Sequence, residues 1–303
     1  MDQVIQSESE VATVSFSADG NMLAGACRDA KVRLWDTQSG ALKRTVPMEK
    51  GDASVTLPAA SDLLAAVGTD GTLKVWDLQT GAVSRRLTGP TQRVRRLAFT
   101  PDRKLVAGSS HAPGGGSEEL ARLWDSAGKE RFAVRAGVGG TSAMALSPDG
   151  ATLVAASYDT NVRAFSTRDG ELVRLIEELP VAIFAMAFSP DGKYLAAGGV
   201  DRTVYLFDAK TWKVSQKLTG QPEMISALAF SPDSRMLVTG GFSEFTVKNP
   251  VKGLVWDIAS GKVMRSVDAS QRVESVAFSP NAKLVAVANQ QKTVNVWAVP
   301  ATR

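Results

Sequence analysis

The chain has 303 residues, 44% of them apolar and 22% charged, with a net charge of +4. That is globular composition with length enough for a large core. One cysteine, Cys27, excludes an internal disulfide framework, and the absence of any run of about 18 apolar residues argues against a membrane-spanning helix. The cysteine count fits a reducing compartment, so a cytoplasmic location is expected; a disulfide-free exported protein with its leader removed is the alternative.

The opening residues, MDQVIQSESEV, are acidic and polar and do not read as a signal or transit peptide. From Val14 onward one short sentence recurs seven times: VSFSADGNMLAGA, VTLPAASDLLAAV, LAFTPDRKLVAGS, MALSPDGATLVAA, AFSPDGKYLAAGG, LAFSPDSRMLVTG and VAFSPNAKLVAVA. Each copy is followed by Trp-Asp or a relative of it, at Trp35, Trp76, Trp124, Phe165, Phe207, Trp256 and Trp297, with successive gaps of 41, 48, 41, 42, 49 and 41 residues. A period of about 40–45 residues with Trp-Asp endings marks a propeller, one four-stranded blade per repeat. The copies run end to end without a linker, so residues 1–303 are expected to form a single domain.

Charge is uneven along the copies. Residues 85–135 hold eleven Lys or Arg against five acids, a local excess of +6, so the remainder is slightly acidic. Such a field can steer an acidic partner; a solvated face with dispersed charge is the plainer reading. The crossing into the third copy, Pro90 onward, carries Arg93, Arg95 and Arg96.

The fifth copy shows how a repeat is built. Residues Ile183–Phe188 are an apolar strand, and Ser189-Pro190-Asp191-Gly192 is a tight turn, with proline presetting φ and glycine tolerating the last position. Tyr194–Gly199 is a second strand of small residues that allows neighbouring blades to approach closely. Residues 203–207 alternate as a third strand, and residues 213–218 form an outer one. The other copies parse the same way.

The seventh copy ends just after its third strand. Residues 2–7, with Val4 and Ile5, stand as far before Phe16 as the outer strands stand before their own next repeats. This predicts an all-β, seven-bladed β-propeller of four-stranded antiparallel blades, its ring closed by an N-terminal strand that completes the last blade and covers an otherwise open edge. A closed ring needs no second copy, so a monomer suffices.

The Ser-Pro-Asp-Gly turns, the small-residue second strands and the Trp-Asp endings resemble the WD-repeat propeller family over about residues 2–299. The resemblance implies a scaffold that holds proteins together through the loops of one face. It also implies a hydrogen-bond network in each blade, joining a Gly-His histidine, an aspartate, a hydroxyl and the tryptophan. Here the only histidine is His111, and Gly89-Pro90 and Gly220-Gln221 occupy two of the Gly-His positions. The aspartates stand at Asp29, Asp70, Asp159 and Asp201, whereas the hydroxyl is read only at Ser157, in the blade whose ring is Phe165, which has no N–H. No blade is therefore expected to keep the whole network, and apolar packing and turn geometry are expected to hold the blades.

Two copies exceed the others by about seven residues, each time between second and third strands: 111–120 in the third and 242–252 in the sixth. In the family these loops lie on the face that most often binds partners, and functional groups concentrate on loops held by rigid scaffolds. The candidate contact residues are Arg93, Arg95, His111, Glu118 and Glu119 from the third copy, with Phe242, Phe245, Lys248 and Lys252 from the sixth and Arg272 beyond it. The alternative for Phe242 and Phe245 is that they fold back onto their own blade.

Chemistry has little to work with. One histidine cannot build a multi-histidine metal site, and no Cys/His spacing fits zinc. Residues 113–117, Pro-Gly-Gly-Gly-Ser, lack the Lys-Ser/Thr ending of a phosphate loop. Cys27 takes a small-residue slot as a buried filler. The basic window lacks the interleaved aromatics of a nucleic-acid binder. The expectation is a non-catalytic module without catalytic residues, metal or cofactor, binding a protein or peptide, an acidic one among the candidates. A propeller enzyme with its site at the central channel, or a sensor or display domain of a larger protein, are the alternatives.

Overall fold

A computed structural model of the chain describes all residues except 1, 48–53, 57–62, 68–72, 78–79, 81, 88–92, 100–105, 112–119, 126, 128, 139, 177–178, 244–250, 270–271 and 301–303. At 54–56, 63–67, 73, 76, 84–87, 93–99 and 106–111 it describes the backbone alone. The described residues are all-β and form seven four-stranded antiparallel sheets.

In chain order, sheet one comprises Val11–Phe16, Met22–Cys27, Lys31–Asp36 and Leu42–Pro47. Sheet two comprises Ser54–Thr56, Leu63–Val67, Leu73–Asp77 and Val83–Leu87, and sheet three Arg93–Phe99, Val106–His111, Leu120–Trp124 and Glu130–Arg135. Sheet four comprises Thr141–Leu146, Thr152–Ser157, Val162–Ser166 and Leu172–Ile176, and sheet five Ile183–Phe188, Tyr194–Gly199, Val204–Asp208 and Val214–Leu218. Sheet six comprises Met224–Phe230, Met236–Phe242, Lys252–Asp257 and Val263–Asp268. Sheet seven has Val273–Phe278, Leu284–Asn289 and Thr293–Ala298, and its fourth strand is Gln3–Gln6 from the other end of the chain. Gln3 pairs with Val296 and Ile5 with Val294. The first strand of each sheet lies beside that of the next, and the first strand of sheet seven lies beside that of sheet one.

The turn between first and second strands is held by its serine. Ser189 Oγ accepts the Tyr194 N–H at 2.9 Å and donates to Asp191 at 2.7 Å, while the Gly192 N–H closes on Ser189 O. Ser17, Ser147, Ser231 and Ser279 repeat the first two of these bonds with Met22, Thr152, Met236 and Leu284 and with the acid or amide two residues on. Proline and glycine suit this turn, and the serine hydroxyl adds to them by satisfying a strand N–H that the tight turn would leave unpaired. The last turn position is left-handed, with φ of 73°, 71° and 72° at Gly20, Gly150 and Gly192, but Ser234 and Ala282 hold the same place at 60° and 57°.

The expected alternation of the third strand takes a different form from a core face and a wet face. In Val204–Asp208, which runs one residue further than the sequence suggests, Val204, Tyr205, Leu206 and Phe207 are all buried. Tyr205 and Phe207 pack with residues of sheet four, Val204 and Leu206 with residues of sheet six. Each sheet lies between two others, so period two assigns side chains to one neighbour or the other. A corresponding cluster of Ile5, Val11, Phe16 and Trp35 with Ala286, Val294 and Val296 joins sheet seven to sheet one. Close approach requires the glycines of the second strands: a Cβ on Gly198 would fall 2.7 Å from Ile225, and one on Gly240 2.2 Å from Val273, both in the following sheet.

Sheet six lacks the histidine and aspartate of the whole network but keeps an altered one, and it corrects the expectation that the hydroxyl stands only at Ser157. The Trp256 indole N–H donates to Thr239 Oγ1 at 2.9 Å, Thr239 donates to Gln221 Oε1 at 2.7 Å, and Gln221 Nε2 donates to Glu223 and to the Lys252 carbonyl, each at 3.0 Å. Glutamine stands where the family has histidine, and the hydroxyl is Thr239, two places earlier in its strand than the slot of Ser157. Ser157 instead donates to Asp159. Cys27 is buried, as expected, and burial pushes its thiol pKa up.

Candidate partner-binding face

Antiparallel pairing places the start of each first strand beside the end of the second and the start of the third, so these segments share one edge of the molecule. Local sequence tailors that edge at a repeated irregularity. Six first strands carry a β-bulge one or two residues in, leaving unpaired Ala12, Arg95, Ser142, Phe184, Ser226 and Glu274. A bulge re-aims the residue it extrudes. The varied residues in this slot stand on an otherwise repetitive frame.

The bulge residue Phe184 is the middle of a chain of rings. Its centroid lies 6.2 Å from Tyr158, in the turn after the second strand of sheet four, and 5.9 Å from Phe242, which ends the second strand of sheet six. Both contacts are edge-on or tilted, the arrangement that the ring quadrupole favours. Tyr158 is 54% exposed, and Phe184 and Phe242 are half-buried. None of the three belongs to the inter-sheet clusters described above. Val138, 72% exposed, and Val200, 38% exposed, stand on the same edge.

From Phe242 the contacts pass into sheets seven and one. The Arg272 guanidinium lies 4.4 Å over the Phe242 ring, a cation–π contact, and its Nε is 3.3 Å from Glu274. Glu274 also accepts from Gln290 Nε2 at 2.7 Å and lies 3.9 Å from Arg28, which pairs with Glu10 at 2.7 Å. A connected line of side chains thus runs along one edge from sheet four, through five, six and seven, to sheet one.

Below this line, the aspartates after the second strands brace the edge. Asp29 pairs with Arg33 and Asp159 with Arg163, each four residues on, at 2.7 and 2.8 Å, and Tyr205 donates to Asp201 at 2.5 Å. Arg33 is 1% exposed and also holds Glu8, tying the residues after the closing strand to sheet one. The Arg33 guanidinium beside Asp29 holds that carboxyl below its usual range. Burial opposes ionisation of Asp159, but hydrogen bonds from Arg163 and Ser157 outweigh it and lower the pKa. Burial and the neighbouring Asp201 push the Tyr205 phenol up to about 12.

The residues singled out in the sequence fall in several places. Phe242 and Arg272 meet, and the Phe242 ring also meets Phe184 of sheet five. Lys252 starts the third strand of sheet six, and its ammonium is ion-paired with Asp268. Arg93 and His111 are register partners at the corresponding edge of sheet three, and Arg95 occupies that sheet's bulge slot. Glu118, Glu119, Phe245 and Lys248 lie outside the described residues. Tyr158, Phe184 and Glu274 were missed. For Phe184 a signal existed: a large aromatic near the start of a first strand, where other copies have Ala12, Ser142 or Ser226.

Among the described residues no group of three His, Cys, Asp or Glu side chains is placed to hold a metal ion, and no helix is long and apolar enough to cross a membrane. The edge offers rings, aliphatic groups and guanidinium, which suit recognition of another chain.

Successive four-stranded antiparallel sheets of this kind are those of a β-propeller. The family model of the WD domain, G-beta repeat, matches residues 3–36, 51–77, 136–166, 174–208, 212–248 and 261–298, and the chain belongs to that family. The matched segments leave out residues 78–135, which hold the third copy, and 249–260 in the sixth, the two copies with long loops. No curated protein matches the chain.

Proposed function

We propose that this chain is a non-catalytic protein-binding scaffold: a seven-bladed propeller, closed by its N-terminal strand, that engages partner proteins through the edge bearing Tyr158, Phe184 and Phe242. WD repeats generally mediate protein–protein interaction, and the sheets here are of that kind. Closure is supported by the antiparallel pairing of Gln3–Gln6 with Thr293–Ala298 and by the apolar cluster shared between sheets seven and one.

The observation that carries the reading is the line of rings. Three aromatic side chains from three successive sheets meet in series, retain exposed surface, and lie outside the buried apolar clusters between sheets. Exposed apolar surface of this kind marks a contact site, and aromatic residues with arginine dominate interface energetics. A scaffold of closed sheets can hold such a set rigidly.

The test is chemical cross-linking and recovery of partners from the native cell extract. It compares the wild type, a Tyr158→Ala/Phe184→Ala variant, and a Lys193→Ala control on the opposite edge. Partners should be cross-linked by the wild type and the control and lost from the double variant. Equal recovery by all three would show that this edge is not the contact.

A further inference from the structure

Resting on the reading of this edge as the contact face, we infer that the partner segment is acidic and apolar: an extended stretch whose aromatic or aliphatic side chain sits on the Tyr158–Phe184–Phe242 rings while carboxylates flank it. The rings set the apolar centre. Their two steps of 6.2 and 5.9 Å match the reach of about four extended residues.

The arginines set the sign of the flanks. Arg272 already covers the Phe242 ring, so a cationic side chain approaching there meets like charge. Arg272 reaches Glu274 through Nε at 3.3 Å, and the residue is exposed, so its guanidinium is open to a further partner. A guanidinium held flat on a ring presents a preformed fork to a carboxylate. Glu274 is already neutralised by Arg272 and Arg28 and accepts from Gln290, which weakens its pull on an incoming cation.

The other end of the ring line leads to sheet three. There Arg95 stands in the bulge slot that Phe184 and Glu274 fill in sheets five and seven, and Arg93 stands two residues before it. Sheet three lies within the stretch 85–135 that carries an excess of +6. Along this edge the ring line thus stands between the arginine positions of sheet three and Arg272 at the crossing into sheet seven. Its complement is a segment with an apolar centre and acidic flanks.

Fluorescence anisotropy on the full chain, with three labelled twelve-residue probes, tests this. One probe has a Leu/Phe centre between Asp/Glu flanks, one the same centre between Lys flanks, and one a Ser centre between Asp/Glu flanks. The expected result is saturable binding of the first probe, with at least tenfold weaker binding of the other two. Phe242→Ala and Arg272→Gln should each weaken the first probe at least tenfold; the exposed Arg272 position keeps the test sound if Phe242→Ala proves unstable. Binding that is equal for acidic and basic flanks, unchanged in Arg272→Gln, or absent for the first probe overturns the inference. If that happens while the Tyr158/Phe184 double variant still loses its cross-linked partners, the contact face stands and only the partner's chemistry falls.

Discussion

The indole N–H of Trp256 is bonded to the hydroxyl of Thr239, 2.9 Å away in the neighbouring strand, and both groups are buried. Thr239 lies on the same strand face as Leu237, the register partner of Trp256, so the hydroxyl reaches the indole on the diagonal. Onward donation to Gln221 ties the third strand, through the second, to the crossing from sheet five. Thr239→Val keeps the shape and removes both bonds, leaving the indole N–H and the glutamine oxygen unpaired. Urea unfolding should show a loss of about 1–3 kcal/mol, with Thr239→Ser retaining most of the stability.

Ala282 at φ 57° holds a place filled by glycine in sheets one, four and five. A side chain there costs about 1 kcal/mol or more relative to glycine. Relief of that strain, less the lost contact of the Ala282 methyl with the cluster around Val276, should let Ala282→Gly raise the melting temperature by about 1 °C. Ser234 shares the strain at φ 60°, but its Oγ accepts the Asp191 N–H at 3.0 Å across the sheet boundary. Ser234→Gly should gain less than Ala282→Gly, or lose stability, in the same melting experiment.

Asp159 has a lowered pKa in the folded chain, so the unfolded chain binds the proton more tightly. The stability it contributes is present above the ordinary aspartate pKa of about 3.9 and is lost as pH falls through the lower folded value. Breaking its bonds to Arg163 and Ser157 should cost about 2 kcal/mol at pH 7. The expected outcome is an Asp159→Asn variant that melts below the wild type at pH 7, with the gap narrowing below about pH 4. A gap independent of pH would contradict it.

Architecture was legible because its signals are local. Serine, proline and aspartate within four residues make the turn wherever they occur, and small residues such as Gly198 and Gly240 mark where the next sheet presses in. The partner of the last sheet was legible from spacing alone, since Ile5 falls at an outer-strand distance before Phe16. The candidate site was legible only in part. Phe242 and Arg272 stood out beside long loops, but their stacking joins different sheets. Tyr158 and Phe184 looked like ordinary turn and strand residues, because nothing in one repeat reports the bulge that turns Phe184 toward its neighbours. Thr239 was overlooked because one hydroxyl two places off the chosen slot reads as filler until the diagonal to Trp256 is known.

All of this rests on the first residues completing the seventh sheet. Ile5 is 2% exposed between Val294 and the residues of sheet one, and Glu8 holds the buried Arg33. Removing residues 1–8 uncovers Thr293–Ala298, exposes that apolar contact and strips a partner from Arg33, a loss of about 5 kcal/mol. The direct measurement is the thermal unfolding midpoint of the chain with and without those residues. A fall of about 10 °C is predicted; an unchanged midpoint would contradict the closure and the rigid face built on it.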